Sequence, residues 1–207
     1  MSGTEKPRLI VVAGPNGAGK TSITEQLLRH AWMGGCVYVN PDLIARDEFG
    51  DWNSEQAVLS AARRATAIRE DCLATRRSLA FETVLSTPEK VDFIRRAQAA
   101  GFFARVFFVG TDDPSINAKR VAQRVMEGGH DVPINRIIAR YTRSLANCAV
   151  VTRLADRAYV YDNSIESEPA RLLFRVSEGR LVKQYDRINA WALSVLRELQ
   201  TSADDST

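Results

Sequence analysis

Three observations predict an α/β fold built on a mostly parallel sheet. Short apolar runs alternate with longer stretches of helical periodicity from residue 9 to residue 199. The first run, Leu-Ile-Val-Val-Ala over 9–13, passes through a glycine-rich turn directly into a helix, the order that opens a βαβ unit. The most apolar run, residues 102–109, falls mid-chain and reads as a central strand covered on both faces. With 207 residues, 45% of them hydrophobic, the chain can bury one substantial core, so a single domain over 1–207 is expected.

The elements follow in order. After the strand at 9–13, helical periodicity covers 21–29, and 36–40 is a short strand ending at Pro41-Asp42. Ser54 is the N-cap of an amphipathic helix over 54–77, with Val58, Ala61, Ala65, Ile68 and Cys72 at helical spacing. Residues 79–85 form a third strand. The helix over 88–100 begins at Pro88 and stops at Gly101, the usual asymmetry of helix ends. Beyond the central strand, Asp112-Asp113-Pro114 opens a helix through Met126. A break over 128–133 precedes another helix to about Arg153. Residues 157–161 are the last parallel strand, leading into Asp162-Asn163-Ser164. A hairpin of 172–176 and 181–185 turns at Glu178-Gly179, a helix closes the chain over 187–199, and 201–207 reads as a disordered polar tail. No repeat, low-complexity segment or linker interrupts this pattern.

Composition narrows the function classes. The net charge is only +3, and the arginines are spread among carboxylates instead of forming a stripe, which disfavours a nucleic-acid partner. Cys36, Cys72 and Cys148 are widely spaced and form no C-x-x-C pair, so buried free thiols are expected and a zinc framework is not. Residues 1–7 contain neither a signal h-region nor a lipidation motif, and no apolar stretch approaches a membrane span. A cytoplasmic location is the expectation. Trp32, Trp52 and Trp191 read as packing residues.

Gly14, Gly19, Lys20 and Thr21 complete the pattern G-x-x-x-x-G-K-T, with Pro15, Asn16, Gly17 and Ala18 between the glycines and Ser22 after them. Such a loop turns successive backbone N–H groups inward to cradle phosphates, and the following helix adds its positive end. Lys20 is a point charge for the β- and γ-phosphates, and the Thr21 hydroxyl is a ligand for Mg²⁺. ATP and Mg²⁺ are the expected cofactors.

Hydrolysis and phosphoryl transfer share this loop, so other residues must separate them. No strand ends in the acidic pair of transport and motor ATPases; single polar residues stand at strand ends instead. Asp42 follows the second strand, where a carboxylate can take a proton from an attacking hydroxyl or approach Mg²⁺; it also fits a helix cap. Glu82 interrupts an apolar strand beside Thr83. It needs either a cleft holding a substrate hydroxyl or an arginine partner. Arg120 and Arg124 share one helix face, Arg136 and Arg140 repeat the spacing, and Gly128-Gly129 separates the two helices. Residues 112–143 thus resemble an arginine-rich lid able to close over a triphosphate, although a solvated face among Asp112, Asp113 and Glu127 has the same pattern. His130 is either a substrate contact or a loop residue.

Taken together, Gly14 through Thr21, Asn40-Pro41-Asp42-Leu43-Ile44-Ala45, Phe81-Glu82-Thr83, Arg120 to Arg124, residues 128–133, Arg140-Tyr141 and Tyr161-Asp162-Asn163-Ser164 resemble the zeta-toxin-like P-loop kinases, especially short single-domain members. The resemblance spans about residues 8–164. It implies a five-stranded parallel sheet of adenylate-kinase-like order and ATP-dependent phosphorylation of a sugar hydroxyl, UDP-N-acetylglucosamine being the toxins' substrate. It further implies Asp42 as base, and Lys20 with Arg120, Arg124 and Arg140 as phosphate clamp. Glu82 and Thr83 correspond to the acceptor contacts, Asn163 lies beside the adenine, and an antitoxin protein is a possible partner. Residues 81–86 depart from the larger toxins, so the reaction type transfers better than the acceptor. The rival readings are a kinase for another small molecule, an NTP-dependent switch with a protein or RNA partner, and polynucleotide 5′-end phosphorylation.

Overall fold

The protein is described by a computed structural model covering residues 6–50, 54–127 and 132–204. Its centre is one seven-stranded sheet. The strands are β1 (Arg8–Ala13), β2 (Val37–Val39), β3 (Leu79–Thr83), β4 (Phe103–Gly110), β5 (Arg157–Asp162), β6 (Arg171–Ser177) and β7 (Arg180–Gln184), in the order β2-β3-β1-β4-β5-β6-β7. The first five are parallel, and β4 lies in the middle, as its apolar sequence predicts.

Both faces of the parallel part are covered, which is why these strands read as continuous apolar runs. Side chains alternate along β1. Leu9, Val11 and Ala13 join the larger core with Phe81 and Phe108, while Ile10 and Val12 join a smaller one with Phe107 and Tyr159. The larger core is closed by α3 (Glu55–Ala74), α4 (Pro88–Ala99), α6 (Ile134–Leu154) and α7 (Ala190–Asp204), and the smaller one by α1 (Lys20–Leu28). The remaining helices, α2 (Pro41–Phe49) and α5 (Pro114–Met126), flank the carboxyl ends of the strands, where an open α/β sheet places its ligand.

Several expectations need correction. The sheet has seven strands, not five, because the C-terminal hairpin extends it. β6 pairs antiparallel with β5, from Arg157↔Ser177 to Asp162↔Arg171. The link over 163–170 is too short for a parallel crossover, which needs about a dozen residues, and the hairpin satisfies the free edge of β5. The hairpin turn itself falls where expected, with Glu178 and Gly179 both at positive φ. The closing helix starts at Ala190 and runs to Asp204, so residues 201–204 are helical and not a frayed tail; the sequence there contains no glycine or proline to stop it. A short 3₁₀ turn at Ala31–Met33 was not foreseen.

Cys72 and Cys148 are buried free thiols as expected, whereas Cys36 is only half-buried. Trp191 is packed in the core, and Trp32 lies tilted against Phe107 and Tyr159, ring centroids 6.1 and 6.0 Å away. Trp52, the Gly128-Gly129 break and His130 lie outside the described residues. No helix among the described residues is long and apolar enough to cross a membrane.

Candidate active site

The loop over 14–19 leaves β1 and enters α1 at Gly19, whose φ of 90° lies in the left-handed region. A side chain there would strike the Asn163 amide, and one at Gly17 (φ 74°) would strike the backbone of Asn117. The loop is therefore backbone in close contact with two other elements. The first turn of α1 carries no acidic side chain, so its N–H groups present an uncontested positive end. Thr21 and Ser22 stand exposed on that turn.

Contacts from β3, α5 and the segment after β5 brace the loop. The Gly14 N–H donates to the Thr83 carbonyl at 3.2 Å, Asn117 Nδ2 donates to the Asn16 carbonyl at 2.7 Å, and Asn163 Nδ2 donates to the Ala18 carbonyl at 2.9 Å. Asn117 is fully buried and also accepts from the Thr111 hydroxyl, while the Tyr141 hydroxyl donates to the Thr111 carbonyl at 2.6 Å. Sequence reading missed Asn117. Its only signal was a polar residue on the inward face of an otherwise amphipathic helix.

Lys20 folds back over the loop, its Nζ donating to the carbonyls of Gly14 and Pro15 at 2.9 and 3.0 Å. Burial lowers its pKa to about 8; Glu82 and Asp42 oppose that shift, and Arg124 adds to it. One ammonium thus feels charges from β3, α2 and α5.

Glu82 reaches this place through register: Val12 pairs with Glu82, and Ala13 with Thr83, so both lie at the mouth of the loop. Among the described residues no ion pair joins its carboxylate to an arginine. Tyr38 on β2 donates its hydroxyl to Glu82 Oε1 at 3.0 Å and accepts from Asn40 Nδ2 at 3.1 Å. Burial first, then the Glu82 charge, push the Tyr38 ionisation up, so the hydroxyl stays protonated and available as a donor. Thr83 Oγ1 accepts from the Leu85 N–H at 3.0 Å, which fastens the turn after β3.

Asp42 is not the cap of its helix. Asn40 is, accepting from the Asp42 N–H at 2.9 Å, and α2 begins at Pro41. The Asp42 carboxylate is left exposed in the first turn.

The arginines divide. Arg124 is exposed, and its charge is felt at Lys20; Arg140 Nη1 lies 3.5 Å from Asn16 Oδ1. Arg136 is exposed to solvent. Arg120 instead donates to the Asn163 carbonyl at 2.8 Å and reaches the Ile165 carbonyl at 3.5 Å, docking α5 on the loop after β5 beside the Lys119–Glu166 ion pair. Among the described residues no group of three or more His, Cys, Asp or Glu is arranged to hold a metal. The hard oxygens of Thr21 and Asp42 fit Mg²⁺, which takes few protein ligands and completes its shell with phosphates and water.

A family model described as zeta toxin matches residues 1–169. A protein of Haemophilus influenzae is 24% identical over 134 residues, covering 65% of this chain and 92% of that protein. Among solved structures, the AvrRxo1-ORF1:-ORF2 complex with ATP is 19% identical with a TM-score of 0.64, covering 94% of this chain and 64% of that chain. This chain therefore spans less than two thirds of that protein's length. The PezAT toxin–antitoxin system of Streptococcus pneumoniae is 16% identical with a TM-score of 0.59, covering 98% of this chain and 86% of that chain. At these identities the structural likeness establishes a shared fold. The family match covers the loop, Asp42, Glu82, the arginine helices and Asn163, and on that match the chain belongs to the zeta toxin family.

Proposed function

We propose that the protein is a P-loop kinase that moves the γ-phosphoryl group of ATP to a hydroxyl of a small molecule, a nucleotide sugar such as UDP-N-acetylglucosamine being the acceptor. The observation that carries this reading is the Lys20 ammonium, held on the carbonyls of Gly14 and Pro15 within the electrostatic reach of Glu82, Asp42 and Arg124: a cation for the phosphates with carboxylates near it for an acceptor. Zeta toxin family membership supports the reaction type. The ATP named in the AvrRxo1 complex supports the nucleotide.

In this mechanism residues 14–19 hold the phosphate oxygens on backbone N–H groups, and Lys20 exchanges the Gly14 and Pro15 carbonyls for the transferring group. Mg²⁺, when bound, would neutralise phosphate charge; the Thr21 hydroxyl would hold it, and the exposed Asp42 carboxylate would approach it through water. Asp42 takes the proton of the acceptor hydroxyl. Glu82, with Oε1 held by Tyr38, offers its other oxygen to orient the acceptor. Arg124 and Arg140 spread the charge that develops on the phosphoryl oxygens, and Asn163 borders the base. Thr83 is a further acceptor contact, and His130 takes the same role on the strength of the sequence alone. An antitoxin protein is the proposed macromolecular partner, as in the PezAT system.

The test is incubation with γ-labelled ATP, Mg²⁺ and a panel of nucleotide sugars, nucleosides and RNA ends, with Lys20→Ala as the blank and Asp42→Asn as the variant under test. Label on UDP-N-acetylglucosamine supports the full reading, and label on another compound keeps the mechanism and replaces the acceptor. Inorganic phosphate alone, with every acceptor untouched, points to an ATPase switch. Undiminished transfer by folded Asp42→Asn removes Asp42 from the base role.

A further inference from the structure

Residues beyond 169 lie outside the family match, yet they are bonded into the nucleotide side of the site. Trp191, in the first turn of α7, packs on β4 so closely over Gly110 that a Cβ there would overlap its ring. Its indole N–H donates to Asp162 Oδ1 at 3.1 Å, and the Asp162 side chain is fully shielded from solvent. The Ser164 hydroxyl donates to the same oxygen at 2.6 Å, and Arg171 Nη2 donates to Oδ2 at 3.1 Å. Ser164 Oγ also accepts from the Asp112 N–H at 2.8 Å, and Asn189 Nδ2 donates to Asp112 Oδ2 at 2.9 Å. Burial by itself would raise the Asp162 carboxyl, but the bonds from Ser164, Trp191 and Arg171 outweigh it and hold the carboxyl below its usual range. Asp162 is thus a buried anion kept ionised by its donors.

The next residue carries the bond onward. The Asn163 N–H donates to the Gly110 carbonyl at 2.9 Å, and Asn163 Nδ2 donates to the Ala18 carbonyl at 2.9 Å. Its own carbonyl accepts from Arg120 at 2.8 Å. From α7 to the phosphate loop there are only two bonded steps, Trp191 to Asp162 and Asn163 to Ala18. A buried carboxylate that loses one donor reorganises or takes up water, because an unsatisfied charge in such a place is costly.

We propose that Trp191 is a positioning residue for nucleotide binding: through Asp162 it holds the segment 162–165 where Asn163 fastens the phosphate loop and receives Arg120. This rests on the loop being an ATP site and is independent of the acceptor. The C-terminal helix is thereby a working part of the site and not only a cover for the sheet.

The experiment uses the full chain with Trp191→Phe, which keeps an aromatic ring over Gly110 and removes the N–H. Three quantities are read: ATP affinity by titration calorimetry with Mg²⁺, amide hydrogen exchange over 14–20 and 163–165, and melting temperature. Affinity is expected to fall about tenfold, the usual effect of losing one hydrogen bond to a charged group, with faster exchange in both segments. Ser164→Ala reaches the same carboxylate from the loop side without touching the core. Its loss and that of Trp191→Phe are expected to be non-additive in the double variant. A folded Trp191→Phe protein with a lowered melting temperature but wild-type ATP affinity and exchange overturns the proposal and leaves Trp191 a packing residue. Additive losses overturn the route through Asp162. If the wild type binds no ATP, the ATP-site reading and this proposal fall together. If it binds ATP but labels no acceptor, the kinase reading fails alone and affinity still decides the role of Trp191.

Discussion

A lysine ammonium lodged against the carbonyls of Gly14 and Pro15 is poorly hydrated, and this burial brings its pKa from 10.5 to about 8. In the free protein Lys20 is a cation below about pH 8 and loses its charge above it. The value of kcat/KM for ATP, which reports the free enzyme, is expected to fall as pH rises through about 8. The linkage has the matching sign. Between about 8 and 10.5 the unfolded chain binds more protons at this residue than the folded one, so its penalty is full below 8 and fades as pH rises. Denaturant melts should find Lys20→Met more stable than wild type at pH 7, with the gap closing toward pH 10. Tyr38 offers a second check. Removing its hydroxyl with Tyr38→Phe frees Glu82 Oε1 and unties Asn40, the cap of the Asp42 helix. Steady-state kinetics should show acceptor kcat/KM lowered about tenfold with the KM for ATP unchanged; equal acceptor kinetics would leave Glu82 oriented by other means. Lys20 was legible because its chemistry is written in eight consecutive residues. Tyr38 was not, because its partner Glu82 is a strand away and 44 residues distant in sequence.

At the scale of elements, the helix starts at Ser54 and Asp113 were readable because an N-cap acts within three residues of itself. At Asp42 the same logic left a cap open beside the base role, and it is Asn40, one residue before Pro41, that makes the capping bond. The arginine helices show what spacing leaves open. Arg120 and Arg124 share a face by periodicity, yet Arg120 docks on the carbonyls of Asn163 and Ile165 while Arg124 acts on Lys20. Asn117 joins α5 to the phosphate loop and to Thr111. Asn117→Ala strands the Asn16 carbonyl and the buried Thr111 hydroxyl, and urea melts should show a loss of about 2 kcal/mol. A loss below a few tenths would mean that the loop does not depend on this brace.

Across the whole molecule, the hairpin and α7 are not appendages. Leu173, Phe174, Val176, Trp191, Ala192, Val195 and Leu199 belong to the same core as Phe81 and Phe108. A chain ended at residue 169 would bare that core and the edge of β5. Near-ultraviolet circular dichroism and size exclusion should find no fixed tertiary structure or monodisperse species for it; a folded, soluble fragment would show that the parallel part is self-sufficient. The sequence by itself determined the alternation of strands and helices, the parallel sheet, the phosphate loop and the candidate carboxylates and arginines. Each of these depends on residues within a few positions of one another, where period, cap and motif are fixed by local sterics and hydrogen bonding. Only the tertiary structure decided that the hairpin extends the sheet to seven strands, that Tyr38 holds Glu82, that Arg120 binds a loop, and that Trp191 is linked to the phosphate loop through Asp162 and Asn163. Those partners are far apart along the chain, and register and burial bring them together once the strands have paired.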